Sequence, residues 1–462
     1  MEHDKNPRQR VAPLEMSPDH FRVLGHQLVD RIAEFLAGLP NGSVTPGESL
    51  AVVRQALGGE GLPQHGSDPD RLLEEAASLL FNHSMFNGHP RFFGYITSSP
   101  APVGALGDML AAAVNPNVGA WSLGPMATEI EVQTVRWIAE LVGYPTTCGG
   151  ILVSGGNMAN FVGLLASRRA KAGWDVRSGG MAANPGGALR VYASVETHTW
   201  LQKGADLFGL GTDALRWIPT DARQRMDVAA LRAAIVSDEA AGECPFLVVG
   251  TAGSVSTGAV DPLPELAAIC REHGLWFHVD GAYGGFAAAL PDAPPDLLGL
   301  CEADSVTVDP HKWLYAPLEV GCTLVRDPQA LLSAFSYHPP YYRFDGSDDT
   351  MVNFHEYGPQ NSRGFRALKV WLGLRQAGRE GYVRMITDDI ALARTLHRHV
   401  SECPELEPWT QDLSITTFRY VPLGLEPGDE HIEAYLNRLN VEILTRLQEG
   451  GEAFLSNAVV SG

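Results

Sequence analysis

The strongest constraint on the fold lies between Gly149 and Val325, where short apolar runs alternate with longer stretches of helical character. The runs are Gly150–Val153, Leu189–Ala193, Phe246–Gly250, Leu275–Val279, Ser305–Val308 and Cys322–Val325. Most are continuously apolar, the mark of strands covered on both faces. Strands separated by helices point to the α/β class, a mainly parallel sheet with helices on both sides. Ligands of such sheets bind beyond the carboxyl ends of the strands. The chemically notable residues of this chain fall at those ends.

Around this block, Ser17-Pro18 reads as an N-cap followed by proline at the first helical position, and Phe21, Leu24, Leu28, Ile32 and Phe35 recur at helical spacing. The predicted amphipathic helix packs either on its own subunit or on a partner chain. A Gly/Pro/Asn-rich break over Leu39–Pro46 and a second helix over Pro69–Phe81 lead to the aromatic cluster Pro90–Tyr95. A strong helix over Phe365–Leu374 opens a C-terminal portion whose final segment, Ala453–Val460, reads as a strand. The breaks suggest an N-terminal helical segment (1–95), a large domain (96–365) and a smaller α+β domain (366–462).

A chain of 462 residues exceeds one hydrophobic core, in keeping with several subdomains. Its hydrophobic share of 45% comes without any apolar run long enough to span a bilayer, so a membrane protein is not expected. A formal net charge of -20, with no basic patch, argues against nucleic acid as a partner. The six cysteines are scattered, without metal-type pairing, and the start Met1–Lys5 lacks a signal-peptide apolar stretch; a cytoplasmic protein with no metal site is expected.

The strand Leu275–Val279 delivers Asp280, followed by Gly281-Ala282-Tyr283. A carboxylate at the inner end of a buried strand needs a cationic or hydrogen-bonding partner, unless it only caps a turn. The strand Ser305–Val308 leads to Asp309-Pro310-His311-Lys312-Trp313. An inward lysine either forms a salt bridge or becomes neutral and nucleophilic. Ser154-Gly155-Gly156-Asn157 follows a strand and opens a helix, which suits a phosphate but also describes many ordinary strand–helix turns. His198 lies just beyond another strand. One ligand accounts for all four: a phosphate-bearing pyridine aldehyde needs an amine, a carboxylate for its ring nitrogen, a helix N-terminus and a planar group over its face. Ala282 is small enough to support the opposite face.

Asp309–Leu314, together with His278–Tyr283, resembles the group II pyridoxal-phosphate-dependent amino-acid decarboxylases, a family that includes aromatic-L-amino-acid, tyrosine, histidine and glutamate decarboxylases. The likeness runs from the N-terminal helix to Phe365–Trp371. It implies a fold-type I homodimer with a seven-stranded-type sheet, active sites at the subunit interface and an N-terminal segment that contacts the partner. Lys312 would hold the cofactor as the internal aldimine, Asp280 would pair with the pyridine nitrogen and His198 would stack on the ring. Gly155, Gly156, Asn157, Asp309 and His311 would belong to the cofactor cradle. The loop tyrosine that returns a proton after carbon dioxide leaves corresponds to Tyr341, with the adjacent Tyr342 leaving the assignment open by one residue. Tyr95 and Trp121 match substrate-pocket positions, so an aromatic L-amino acid is the favoured substrate. The resemblance also admits an aldehyde synthase, an aminotransferase or a carbon–carbon lyase.

The chain departs from the family pattern in places. Val255 stands where a hydroxyl is usual, Ile96 and Gly119 replace bulky pocket aromatics, and relatives continue beyond Gly462, which implies a truncated C-terminal domain. A non-catalytic descendant of the fold would be expected to lose Lys312, Asp280 or His198, and all three are present.

Overall fold

The computed structural model describes residues 12–59, 61–337 and 351–460. The chain forms two compact units: Met1–Tyr95 with Asp429–Asn457, and Ile96–Gly428 with Ala458–Gly462. The first unit joins the N-terminal residues to a segment more than 330 positions later. These distant segments pair directly. Val44 donates its N–H to Gly451 O, and Phe93 donates to Phe454 O.

In the first unit, helix Pro18–Gly38 begins as the sequence predicts, with Ser17 Oγ accepting from His20 N and proline in the first turn. Phe35 stacks on Phe81 of helix Pro69–Asn82 with ring centroids 4.5 Å apart. Helices Leu50–Leu57 and Glu430–Gly450 complete the unit. Ala453–Val460, expected as a strand, forms only an isolated bridge, Phe92 with Phe454. No neighbouring strand continues the ladder there, so the β-rich composition of that segment is not enough.

The second unit is built on a seven-stranded sheet of order β1-β7-β6-β5-β4-β2-β3. Its strands are β1 Gly149–Val153, β2 Leu189–Ser194, β3 Leu215–Ile218, β4 Cys244–Thr251, β5 Trp276–Asp280, β6 Ser305–Val308 and β7 Gly321–Val325. Only β7 runs antiparallel to its neighbours. Successive side chains feed opposite faces: Val248 joins one hydrophobic cluster, and Leu247 and Val249 join the other. Helices Pro125–Leu141, Gly156–Lys171, Trp200–Leu207, Val228–Ala240 and Leu263–His273 pack on the sheet. The strand of this sheet not predicted is β3, a four-residue edge strand whose Arg216 interrupts the apolar run.

Two long-range ties hold the sheet edge. Arg363 and Glu131 form an ion pair with both side chains fully buried. Arg363 also donates to Leu152 O (2.6 Å) and Val118 O (2.9 Å), while Leu152 N donates back to Glu131. The second tie is helix Ala367–Glu402, interrupted at Gly378, where φ is +63°. Its Asp389 accepts from Trp313 Nε1 (3.0 Å) and Tyr315 Oη (2.6 Å), and its Tyr382 donates to Leu314 O. The turn carrying Lys312 is thus pinned by three hydrogen bonds to this helix. Beyond that helix, β8 Leu406–Asp412 pairs antiparallel with β9 Ile415–Tyr420.

Candidate functional site

The carboxyl ends of β4, β5 and β6 align Thr251, Asp280 and Thr307 in register. All three are buried, and neither threonine hydroxyl has a hydrogen-bond partner among the described residues. Asp280 is well supported: Oδ2 accepts from Trp200 Nε1 (2.7 Å) and Asn160 Nδ2 (3.2 Å), and Oδ1 accepts from Ala282 N (3.1 Å). Three donors hold the carboxylate, and among the described residues no cation forms an ion pair with it.

After β6 the chain turns tightly, with Lys312 N bonded to Asp309 O and Tyr315 N to Lys312 O. Lys312 Nζ lies 3.4 Å from Asp309 Oδ2, so the salt bridge weighed from sequence is present. Asp309 is buried, its Oδ1 has no hydrogen-bond partner, and burial pushes its pKa above the ordinary carboxylate value. His311 donates Nδ1–H to Val320 O at 2.6 Å, which leaves Nε2 on the side of Asp309, 3.7 Å away.

Opposite this turn, Gly155 takes φ +82° at the start of helix Gly156–Lys171. A Cβ on Gly156 would lie 2.6 Å from Asp309 Oδ2, and one on Gly321 would lie 2.5 Å from the carbonyl carbon of Gly155. Glycine here is a matter of space, since a side chain at either position would collide with the chain packed against it. His198 is exposed in the loop after β2. The protein around it lowers its pKa, the nearby charge of Lys312 adds to that effect, and Asp280 opposes it.

The remaining predicted residues are less connected. Trp121 opens a short turn and donates Nε1–H to Glu129 (2.8 Å); among the described residues no hydrogen bond or ring contact joins it to Asp280 or Lys312. Tyr95 belongs to the first unit, with φ +53°, and is exposed. Tyr341 and Tyr342 lie outside the described residues. Val255 is half exposed, next to Ser254 and Thr257, whose hydroxyls bond each other at 2.8 Å. Gly119 is set by backbone, since a Cβ there would meet Asn361 O at 2.0 Å.

Sequence reasoning missed Asn160, Trp200, His278 and Ser305. One signal was available: a polar residue inside an apolar run, such as His278 in Trp276–Val279 or Ser305 in Ser305–Val308, needs a buried partner. What could not be read was the partner's identity.

An inward lysine, a carboxylate at the end of the preceding, adjacent strand, and a helix N-terminus behind a glycine turn are the parts of a site for a phosphate-bearing aldehyde cofactor. The conserved domain of pyridoxal-dependent decarboxylases matches residues 53–420. An aromatic-L-amino-acid decarboxylase of Bacillus atrophaeus is 34% identical over 96% of this chain and 89% of its own length. A phenylacetaldehyde synthase of Petunia hybrida is 30% identical over 97% and 89%. The crystal structure of Oryza sativa TDC with PLP and tryptamine superposes with a TM-score of 0.89 at 28% identity, covering 98% of this chain and 93% of that one. The chain belongs to the pyridoxal-dependent decarboxylase family. It has the fold-type I architecture, and its cofactor is pyridoxal phosphate. The site fits that group on its own terms: Asp309 Oδ1, Thr307 Oγ1 and Thr251 Oγ1 are buried polar atoms lacking partners, and a glycine cradle adjoins the helix N-terminus.

Proposed function

We propose that this enzyme decarboxylates an aromatic L-amino acid to the corresponding amine and carbon dioxide. The observation that carries the reading is Asp280, held by three donors at the sheet edge while Lys312 occupies the next strand end. Pyridoxal phosphate, when bound, supplies an electron sink for the pair left behind by the departing carboxylate. Lys312 would hold the cofactor's aldehyde through its amine. Asp280 would keep a proton on the ring nitrogen. His198 would cover one face of the ring and Ala282 the other. Gly155, Gly156, Asn157 and His311 would form the phosphate cradle, where helix N–H groups and dipole favour an anion, and Asp309 would line the cofactor site beside Lys312. A loop tyrosine, Tyr341 or its neighbour Tyr342, returns the proton to the α-carbon.

Aromatic substrates are supported by the names of the similar enzymes. A second reading, an aromatic aldehyde synthase, is favoured by the similarity to the Petunia enzyme. One assay separates them: purified enzyme is given a panel of L-amino acids while carbon dioxide, amine and hydrogen peroxide are measured. Amine without peroxide from an aromatic substrate is expected; peroxide and aldehyde would transfer the assignment to the synthase, and no carbon dioxide from any aromatic substrate would refute it.

A homodimer belongs to the same reading, with residues 1–95 contacting the partner, 96–365 bearing the cofactor and 366–462 completing the subunit. Its support is the apolar surface that helix Pro18–Gly38 leaves exposed, including Phe21, Val23, Val29 and Ile32. A cytoplasmic location is supported by six cysteines that are all free thiols. Among the described residues no helix is long and apolar enough to cross a membrane.

A further inference from the structure

Asp280 stands at the end of a buried hydrogen-bond chain whose directions can be assigned link by link. A carboxylate only accepts, so Asn160 must turn its amide nitrogen toward Asp280 Oδ2. Its carbonyl oxygen then faces His278 Nε2 at 2.7 Å, which requires the ring proton on Nε2. Nδ1 is left bare and accepts from Ser305 Oγ at 2.7 Å, and that hydroxyl accepts in turn from Trp276 Nε1 at 2.8 Å. Asn160, His278, Ser305 and Asp280 are all buried. Space for the imidazole is built in, since a Cβ on Gly163 would lie 2.7 Å from His278 Cε1. Trp200, the other donor to Oδ2, meets the same ring edge-on at 5.8 Å.

We propose that Asn160 and His278 are positioning residues for Asp280, forming a neutral relay that fixes the carboxylate for the cofactor's ring nitrogen without sharing its charge. The proposal rests on the reading of Asp280 given above and deepens it. A lysine or arginine in the place of Asn160 would hold the carboxylate as firmly, but would cancel the field that keeps the ring nitrogen protonated. A neutral amide backed by a neutral imidazole gives orientation alone. Burial supports this state, because it pushes the pKa of His278 down to about 4 despite the attraction of Asp280. The relay leaves Oδ2 occupied and only a backbone N–H on Oδ1, so Oδ1 is the oxygen available to the ring.

The test uses holoenzyme carrying pyridoxal phosphate isotopically labelled at its ring nitrogen, read by nitrogen NMR together with turnover. Asn160→Leu and His278→Leu should lower turnover by roughly 10–100-fold, as loss of a residue that orients a directly acting group commonly does. Both should move the ring-nitrogen resonance toward the unprotonated position. His278→Gln, whose amide reaches the position of Nε2, should retain the wild-type resonance. His278→Asn, which reaches only the position of Nδ1, should not, and this polar pair carries the distinction if the leucine variants fail to fold. A wild-type resonance in folded Asn160→Leu, or equal resonances in His278→Gln and His278→Asn, would overturn the relay. Asp280→Asn separates the two levels: if its ring nitrogen stays protonated at normal turnover, the role of Asp280 itself fails. If Asp280→Asn loses the proton while the relay variants behave as wild type, only the relay fails.

Discussion

The sheet edge around Asp280 and the helices of the first unit treat their side chains in opposite ways. Helix Gly156–Lys171 buries eight of its residues, and its polar Asn160 finds two partners. Helix Pro18–Gly38 buries only Leu24 in 21 residues, Leu50–Leu57 buries none, Pro69–Asn82 only Ala77 and Glu430–Gly450 only Leu436. The first region is closed within one chain, as a site that must hold charges in fixed places requires. The second presents apolar surface that a single chain does not cover, as an association surface requires. Stability and function should therefore respond to concentration in one region and not in the other.

The largest expected effect tests the closed region directly. Lys312→Ala should abolish the visible absorbance of the bound cofactor and reduce turnover by at least about 10³-fold, since no other amine replaces the nucleophile. Retained absorbance would remove Lys312 as the anchor. Next, Glu131→Ala should destabilise the fold by about 3–5 kcal/mol, because it leaves Arg363 buried and unpaired. Denaturant unfolding should give that loss at every protein concentration; a loss that shrinks on concentration would erase the contrast between the regions.

A smaller effect concerns His278. Its pKa lies near 4 in the folded protein rather than at 6.5, so the unfolded chain binds more protons between those values. Wild type should lose stability relative to His278→Gln as pH falls from about 6.5 to about 4, the difference reaching ~3 kcal/mol. Comparing the two proteins cancels groups of opposite sign, such as buried Asp261, whose pKa burial raises to about 6. A pH-independent difference would mean that His278 does not titrate as described. The smallest effect belongs to the open region: Phe21→Asp should weaken self-association by about 1.5–3 kcal/mol, the cost of losing one buried aromatic contact. Sedimentation should show dissociation while a cofactor-loaded subunit keeps its sheet; unchanged association would place the partner surface elsewhere.

Local pattern carried much of the fold. The expected strands lie within one or two residues of those observed, because each is a short apolar run between breaks. Edge strand β3 escaped for the converse reason, and Ala453–Val460 shows that β-forming composition without a neighbouring strand makes no sheet. Helix Gly156–Lys171 starts at the glycine turn itself, where Gly155 supplies the positive φ before it. At Gly119 the absent side chain, read from sequence as a change in the pocket, is dictated by the carbonyl of Asn361.

The sequence by itself determined that Asp280 and Lys312 would stand at the ends of buried strands and that a helix would open behind Gly155-Gly156, because strand period and turn chemistry act over a few residues. Only the tertiary structure decided what meets them. Asn160 reaches Asp280 across 120 positions, and Arg363 reaches Glu131 across 232. A buried polar group announces in sequence that it needs a partner, since leaving it bare is costly. Which partner arrives depends on how the sheet stacks its strands, and no local pattern encodes that.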